Sequence, residues 1–149
     1  MRFVFLSGAL AIAACSGPQA DVRRSNPSGL YTPRGYSHVV TAVGGRTIYI
    51  AGQPPLDREG KIVGVGDFTT QARKVFENIK TALESEGATM KDVVKINLYL
   101  LDASQITKYR EVREQFISSD FPAVTTVEVR ALLRPEAMLV MDAIAVTSR

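Results

Sequence analysis

The chain of 149 residues contains one cysteine and one histidine, and it has a small net charge. A single cysteine excludes an intrachain disulfide and any metal site built from several thiolates. The single histidine, His38, has no second metal-type residue beside it, which predicts a structural or surface role and no metal site. A formal charge of +3 predicts neither nucleic acid binding nor a polybasic membrane surface.

The sequence also lacks the run of about 20 apolar residues that a helix needs to cross a bilayer. Its N-terminal run, from Phe3 to Ala14, holds 12 apolar or small residues and follows the basic residue Arg2. This pattern is typical of a signal peptide core, so we predict a signal peptide over residues 1–14. The alternative is a core segment of the fold in which the cysteine occurs by chance.

The tetrapeptide Ile12-Ala13-Ala14-Cys15 resembles the lipobox of bacterial lipoproteins. The resemblance implies cleavage before Cys15 and a diacylglycerol on its thiol, and two or more acyl chains anchor a protein stably. Ser16, in place of an aspartate, would direct such a lipoprotein to the periplasmic face of the outer membrane. An ordinary secretory signal would instead release the protein into the periplasm. Either reading predicts the cell envelope.

Residues 15–35 are rich in serine, proline, glycine and asparagine. Their apolar residues follow neither the spacing of a helix nor the alternation of a strand. We therefore predict a lipidated N-terminus and flexible tether over residues 15–35, followed by one domain over residues 36–149.

Hydrophobic periods divide the predicted domain into seven elements. The order is a strand at 36–43, a strand at 46–51, a helix at 68–83, a strand at 93–100, a helix that starts near 102–104, and strands at 123–130 and 138–147. Asp67 is expected to cap the first helix and Gly87 to end it. Gly44-Gly45 predicts a tight hairpin between the first two strands.

The order ββαβαββ predicts an α+β fold, a two-layer sandwich in which one mixed β-sheet carries both helices on one face. The other face would carry Val40, Tyr49 and much of the last two strands. Because a monomer would expose these apolar side chains, we expect oligomerisation to cover them.

Five stretches of the chain, in this order, resemble the RidA family, also called YjgF. They are YSH at 36–38, IYIAGQ at 48–53, QARKVFENIKTALESEGATMKDVVKINLYLLD at 71–102, FPA at 121–123 and DAIAV at 142–146. The resemblance implies a YjgF-like, chorismate mutase-like fold and a homotrimer with clefts between subunits. It also implies hydrolysis of 2-imino acids, such as 2-iminopropanoate, to a keto acid and ammonia without metal or organic cofactor.

The same resemblance implies which residues line the cleft. In active members an arginine grips the substrate carboxylate and a glutamate transfers a proton, whereas this chain has Val124 and Val140 at those positions. A serine of the family becomes Ala51, and a helix asparagine becomes Arg110. The candidate cleft residues are Tyr36, Ala51, Gly52, Gln53, Arg110, Val124, Thr126 and Val140.

Several of these candidates have a structural alternative. Arg110 either faces the cleft or pairs with Glu114 at i+4. Tyr36 lies either at the cleft mouth or in the core, and Gln53 either presents its amide to a ligand or hydrogen-bonds within its own turn. Asp142, two residues after Val140, is a weaker candidate for a catalytic role.

The sequence thus predicts a RidA-like homotrimer that binds a small, rather apolar metabolite in a cleft lacking the usual imino acid deaminase groups. One alternative is a divergent enamine or imine deaminase, a hydrolase that releases ammonia. Another is a structural or chaperone-like trimer without a small-molecule site.

Overall fold

The computed structural model describes residues 19–148. The strands are β1 Asp21–Ser25, β2 Val39–Val43, β3 Arg46–Gln53, β4 Val93–Leu100, β5 Ala123–Glu128 and β6 Leu139–Thr147, and the α-helices are α1 Phe68–Ser85 and α2 Ile106–Glu114. The predicted signal peptide (1–14) and Cys15 lie outside the described residues. Between residues 19 and 148, no helix is both long enough and apolar enough to cross a membrane.

Four strands form a mixed sheet in the order β3-β6-β4-β5. β4 and β5 are parallel because α2 carries the chain back between them, and the other pairs are antiparallel. Both helices pack on one face of this sheet, and the core lies between the two layers. The predicted α+β two-layer sandwich is confirmed.

Part of the predicted tether is a strand. β1 pairs with β2 in antiparallel register from Asp21↔Val43 to Ser25↔Val39. Nη2 of Arg24 donates to the carbonyl oxygens of Lys91 at 3.2 Å and Val93 at 3.3 Å. The prediction of a flexible tether over residues 15–35 is therefore wrong for Asp21–Ser25, because pairing with β2 stabilises a segment that has no strand period of its own.

The predicted hairpin between the first two strands is also wrong. Gly44 and Gly45 do adopt positive φ angles, of 70° and 74°. They nevertheless connect two separate ladders, since β2 pairs with β1 whereas β3 pairs with β6. A Cβ on Gly45 would lie 2.6 Å from Cβ of Ala20 and 2.9 Å from the carbonyl oxygen of Thr147, so close packing requires glycine here.

Helix α1 begins and ends where the sequence predicts. The Asp67 carboxylate accepts hydrogen bonds from the backbone N–H groups of Thr69 and Thr70, and Gly87 follows the helix with φ +70°. The apolar residues of α1 form one buried stripe from Phe68 to Leu83. This stripe also contains one polar residue, Gln71, with 0% exposure. The Gln71 amide donates to the carbonyls of Gly64 and Glu136 and accepts from the Met138 N–H, so it joins two loops to the helix.

One side of β4 is buried along most of the strand, with a shift at its start. Ile96, Leu98 and Leu100 are at most 1% exposed, but Val93 is buried in place of Val94. The pairing of β4 with β6 slips between Val93 and Lys95, which changes the side-chain alternation there.

The sheet face opposite the helices carries exposed apolar side chains. Ile48 and Ile50 point into the core, so Tyr49 between them points away, and it is 78% exposed. Val127 on β5 is 40% exposed on the same face. This is the surface that the sequence predicts to be covered by oligomerisation.

Candidate active site

The Gly35–Ser37 segment is fixed against the start of β5. Ser37 is buried, its backbone N–H donates to the Pro122 carbonyl at 2.9 Å, and its hydroxyl donates to the Phe121 carbonyl at 2.6 Å. These two bonds place Gly35 and Tyr36 beside the Phe-Pro-Ala stretch. Two of the five family-like stretches, far apart in sequence, therefore meet in space.

An aromatic cluster orients Tyr36. Its ring meets those of His38 and Tyr31 edge-to-face, with centroids 5.4 Å and 6.4 Å apart. Nε2 of His38 donates to the Tyr31 carbonyl at 2.8 Å, and the His38 backbone N–H donates to the Asn26 side chain. The contacts of His38 are thus those of a structural histidine, the role predicted from its isolation in the sequence.

Helix α2, β5 and the Gly35–Ser37 segment enclose a cavity of about 210 Å³, here called the α2 cavity. Its lining residues are Arg34, Gly35, Tyr36, Ile106, Tyr109, Arg110, Arg113, Val124 and Thr126. Four of the eight candidate cleft residues, Tyr36, Arg110, Val124 and Thr126, lie here. All four line this one cavity, although together they span 91 positions of the chain.

The lining of the α2 cavity carries several positive charges, although the sequence predicts a cleft for a rather apolar ligand. Arg34, Arg110 and Arg113 face it, and none of the residues between 19 and 148 that line it is acidic. Glu114, the proposed i+4 partner of Arg110, instead places Oε1 3.8 Å from Nη2 of Arg113. The expectation of a rather apolar ligand therefore does not fit the charge of this lining.

Arg113 is the unusual residue of the α2 cavity. It is 6% exposed, and its Nε has no hydrogen-bond partner among the described residues. Its Cζ lies 5.3 Å from the centroid of the Phe121 ring, and its guanidinium lies against Gly35. Burial lowers the pKa of the Arg113 guanidinium, and the nearby charge of Arg110 acts in the same direction. The group remains a cation at neutral pH because arginine starts from so high a pKa.

Sequence reasoning missed Arg113, although the helical period carries a signal for it. Tyr109, Val112 and Phe116 follow one another at the spacings of three and four that are typical of a buried helical stripe, and position 113 lies four residues after Tyr109 and three before Phe116. It therefore belongs to the same stripe. A charged residue in an apolar stripe is a candidate functional residue, since burial of a cation is costly.

The other four candidates lie elsewhere in the chain. A Cβ on Gly52 would lie 3.0 Å from Cγ1 of Val140, so β3 and β6 approach closely there. The Gln53 amide donates to the Ala51 carbonyl at 3.0 Å, a bond within β3, where the pairing with β6 is irregular between Ile50 and Gln53. Gln53 also lines a separate, wider cavity of about 540 Å³ beside α1.

Val124 and Val140 are on opposite faces of the sheet. Val124 pairs with Ile96, whose side chain is buried under the helices. Val140 lies between the buried residues Leu139 and Met141, so its side chain points to the open face. Within one chain Val124 and Val140, where the resemblance leads us to expect an arginine and a glutamate, therefore do not meet.

Asp142 belongs to a polar cluster on the open face. Its carboxylate accepts from Nδ2 of Asn97 at 2.8 Å and from the hydroxyl of Tyr99 at 3.1 Å. The hydrogen bond to Asp142 raises the pKa of Tyr99. Because both carboxylate oxygens are engaged by β4, these contacts give Asp142 a structural role in the chain.

Comparison with known proteins agrees with the fold and the family-like stretches. The family model described as Endoribonuclease L-PSP matches residues 28–147. A RutC family protein from Pyrococcus abyssi is 40% identical over 101 residues, which are 68% of this chain and 79% of that protein. A 2-iminobutanoate/2-iminopropanoate deaminase from Dermatophagoides farinae is 33% identical over 97 residues, 65% of this chain and 74% of that protein.

A solved structure gives the same assignment. The Rid family protein YyfB from Yersinia pestis, a protein of unknown function, aligns with a TM-score of 0.78 and 32% identity over 84% of this chain and 98% of that one. Fold and site thus define an α+β sandwich with a small cavity between its second helix and an edge strand. The chain belongs to the RidA (YjgF) family.

Proposed function

We propose that the protein is a homotrimer that binds a small metabolite in clefts between its subunits, with the α2 cavity as one half of each cleft. The observation that carries this proposal is the convergence of Tyr36, Arg110, Val124 and Thr126 on one cavity. Val140 and Gly52, which approach each other closely on the other side of the sheet, would come from the neighbouring subunit. An intersubunit cleft explains why one chain keeps the two groups apart.

The chemistry of this cleft differs from that of an imino acid deaminase. With Val124 at the arginine position, β5 supplies no guanidinium to a substrate carboxylate, and with Val140 the last strand supplies no proton-transfer group. We expect turnover of 2-iminopropanoate to be weak, since hydrogen bonds to charged groups are worth about 1.5 to 3 kcal/mol each.

A divergent deaminase is the second candidate, and similarity to a relative named as a deaminase favours it. In that case a cleft water adds to the carbon of an imine, or of the imine formed when an enamine is protonated at carbon, and the carbinolamine releases ammonia to leave the carbonyl, with Arg110 assisting by hydrogen bonding. Replacement of Arg110 by alanine separates the two candidates in part. Unchanged turnover in this variant would remove the assisting role of Arg110.

Binding to the cleft can be tested by thermal unfolding with keto acids, amines and aromatic metabolites, because a ligand that binds only the folded state raises the melting temperature. The Tyr36→Ala variant should lose the shift, whereas Leu133→Ala, at a loop position 98% exposed, should keep it. Unaltered melting with every compound would favour the structural or chaperone-like trimer instead.

We also propose that the protein is anchored in the cell envelope through Cys15. The lipobox-like sequence before this cysteine supports the proposal. Incorporation of radiolabelled palmitate, lost in Cys15→Ala, is the expected result. Label retained in that variant, or absent from the wild type, would contradict lipidation at Cys15.

A further inference from the structure

The three arginines of the α2 cavity form a group that neither the family resemblance nor the proposed function explains. Arg34 precedes the Gly35–Ser37 segment, and Arg110 and Arg113 lie three residues apart on α2. Residues three apart on a helix share a face, so both helix arginines reach one volume. Within the part of the chain described, residues 19–148, neither Arg34 nor Arg110 forms an ion pair.

Arg113 supplies the second observation. Its side chain is more than nine-tenths buried, its Nε is unpartnered within residues 19–148, and Glu114 approaches only to 3.8 Å from the other end of the group. A buried guanidinium without a close counter-charge is costly, and the cost falls when an anion enters beside it. The guanidinium also lies against Gly35 and over the Phe121 ring, 5.3 Å from the ring centroid.

The charge of the α2 cavity limits what could enter. The part of the cleft within one chain, about 210 Å³, is large enough for a carboxylate or phosphate group, and the neighbouring subunit would complete it. A single carboxylate would bring one negative charge to three cations, of which Arg34 and Arg110 are exposed and Arg113 is buried. Two negative charges on a small molecule would offset more of this positive charge, and planar guanidinium groups match both carboxylate and phosphate oxygens.

We infer that the α2 cavity is a binding site for a small dianion, a dicarboxylate or a phosphate group, held by Arg113 and Arg110 of α2 with Arg34 opposite. The inference rests on the proposed function, because the same cavity forms half of the cleft. It assigns anion recognition to the helix in a chain whose β5 has valine at the family's arginine position. Arg113 is the central ligand-binding residue of this site.

Calorimetric titration of the full trimer with a matched ligand series tests the inference. Succinate carries two charges, succinamate has nearly the same shape with one, and succinamide has none; inorganic phosphate at about pH 8 tests the phosphate alternative. We expect succinate or phosphate to bind at least about tenfold more tightly than succinamate, since removal of one charge-assisted hydrogen bond weakens binding by at least that factor. Tighter binding of succinate would indicate a dicarboxylate site, and tighter binding of phosphate would indicate a phosphate site.

Three variants assign the binding to the arginines. Arg113→Met should abolish dianion binding while the unliganded protein remains at least as stable as the wild type, because an apolar group replaces a buried, poorly paired charge. Arg110→Gln should weaken binding at least about fivefold. Arg134→Gln removes an equal charge from an exposed loop and should leave binding unchanged, which controls for long-range electrostatics.

The outcomes separate this inference from the proposed function. Binding of succinamate or succinamide as tightly as succinate and phosphate would overturn the dianion site and leave the metabolite cleft intact. Dianion binding that survives Arg113→Met would also overturn it. If no probe of any charge binds and no compound shifts thermal unfolding, both the inference and the proposed function fail.

Discussion

The guanidinium group of Arg113 occupies the space that a side chain at Gly35 would need. An ideal Cβ at Gly35 would lie 2.5 Å from Cζ and 2.6 Å from Nη1 of Arg113, and closer still to Nη2. The backbone of Gly35 also has φ +77°, a conformation that side chains disfavour. Glycine is therefore favoured here for two reasons, the space taken by Arg113 and the positive φ angle. Only the first reason involves the candidate site.

Gly35→Ala tests this contact against a matched control. Gly60 has the same φ of +77°, but a Cβ added there would have no described neighbour within 4 Å, so Gly60→Ala carries the backbone cost alone, about 1 kcal/mol. We expect Gly35→Ala to lower the free energy of unfolding by more than Gly60→Ala does, because the Arg113 guanidinium must also shift to admit the new Cβ. Urea denaturation measures both values.

A double-mutant cycle then isolates the contact. In an Arg113→Ala background, the cost of Gly35→Ala should fall to that of Gly60→Ala, since the clashing group has gone. An unchanged cost in that background would show that Arg113 does not lie against Gly35.

Gln71→Met tests the buried amide of α1. The substitution leaves the carbonyls of Gly64 and Glu136 and the N–H of Met138 without their partner, and a buried unsatisfied group costs about 1 to 3 kcal/mol. We expect a loss of at least about 2 kcal/mol in chemical denaturation. Gln115→Met, at an exposed position, should change stability by less than about 0.5 kcal/mol. Equal effects of the two substitutions would contradict the anchoring role of Gln71.

Asp67→Asn should remove part of the acid dependence of stability. The side-chain hydrogen bond from Thr70, aided by backbone N–H groups, lowers the pKa of Asp67 below its ordinary value of 3.8. A carboxyl whose pKa is lower in the folded state adds stability that is present above its unfolded pKa and is lost as pH falls through its folded pKa.

Asparagine is also a good helix N-cap but does not titrate, so the stability difference between wild type and variant should shrink as pH falls from about 5 to 3. Denaturation curves at several pH values measure it. A difference that stays constant over this range would mean that the pKa of Asp67 is the same in both states.

Tyr49→Asp should disrupt the proposed trimer. Tyr49 is 78% exposed on the open sheet face, and a carboxylate there would have to be desolvated on assembly. Light scattering after size exclusion should give the mass of a monomer for this variant and of a trimer for the wild type. Leu133→Asp is the control, because Leu133 is 98% exposed but lies in the loop before β6. Dissociation by Leu133→Asp alone would place the interface elsewhere.

Sequence patterns over short distances were sufficient to predict the helices and strands that are stabilised by residues near them in sequence. The stripe and caps of α1 and the buried side of β4 follow from spacing within about 20 residues of sequence. β1 could not be predicted in this way, because Asp21–Ser25 has no period and is held by a partner strand and by the carbonyls that Arg24 contacts. The Gly44-Gly45 turn has the predicted backbone angles, but the partner of each strand lies far away in sequence.

The same limit applies to the site. The family resemblance placed Tyr36, Arg110, Val124 and Thr126 among the candidate residues, and these four line one cavity. The resemblance did not predict Arg113, whose importance depends on its burial against Gly35 and Phe121. The opposite orientation of Val124 and Val140 depends on strand pairing, which a single sequence does not reveal.

The effect of Val124 and Val140 on imino acid deamination is tested most directly by turnover of 2-iminopropanoate. The imine is generated by an amino acid oxidase, and pyruvate release is compared with that of an arginine-bearing homologue at equal concentration. We expect kcat/KM at or below about 1% of the homologue's, since two charged groups are missing, and an increase in Val124→Arg/Val140→Glu. Wild-type turnover comparable to the homologue's would contradict the proposed loss of deaminase chemistry.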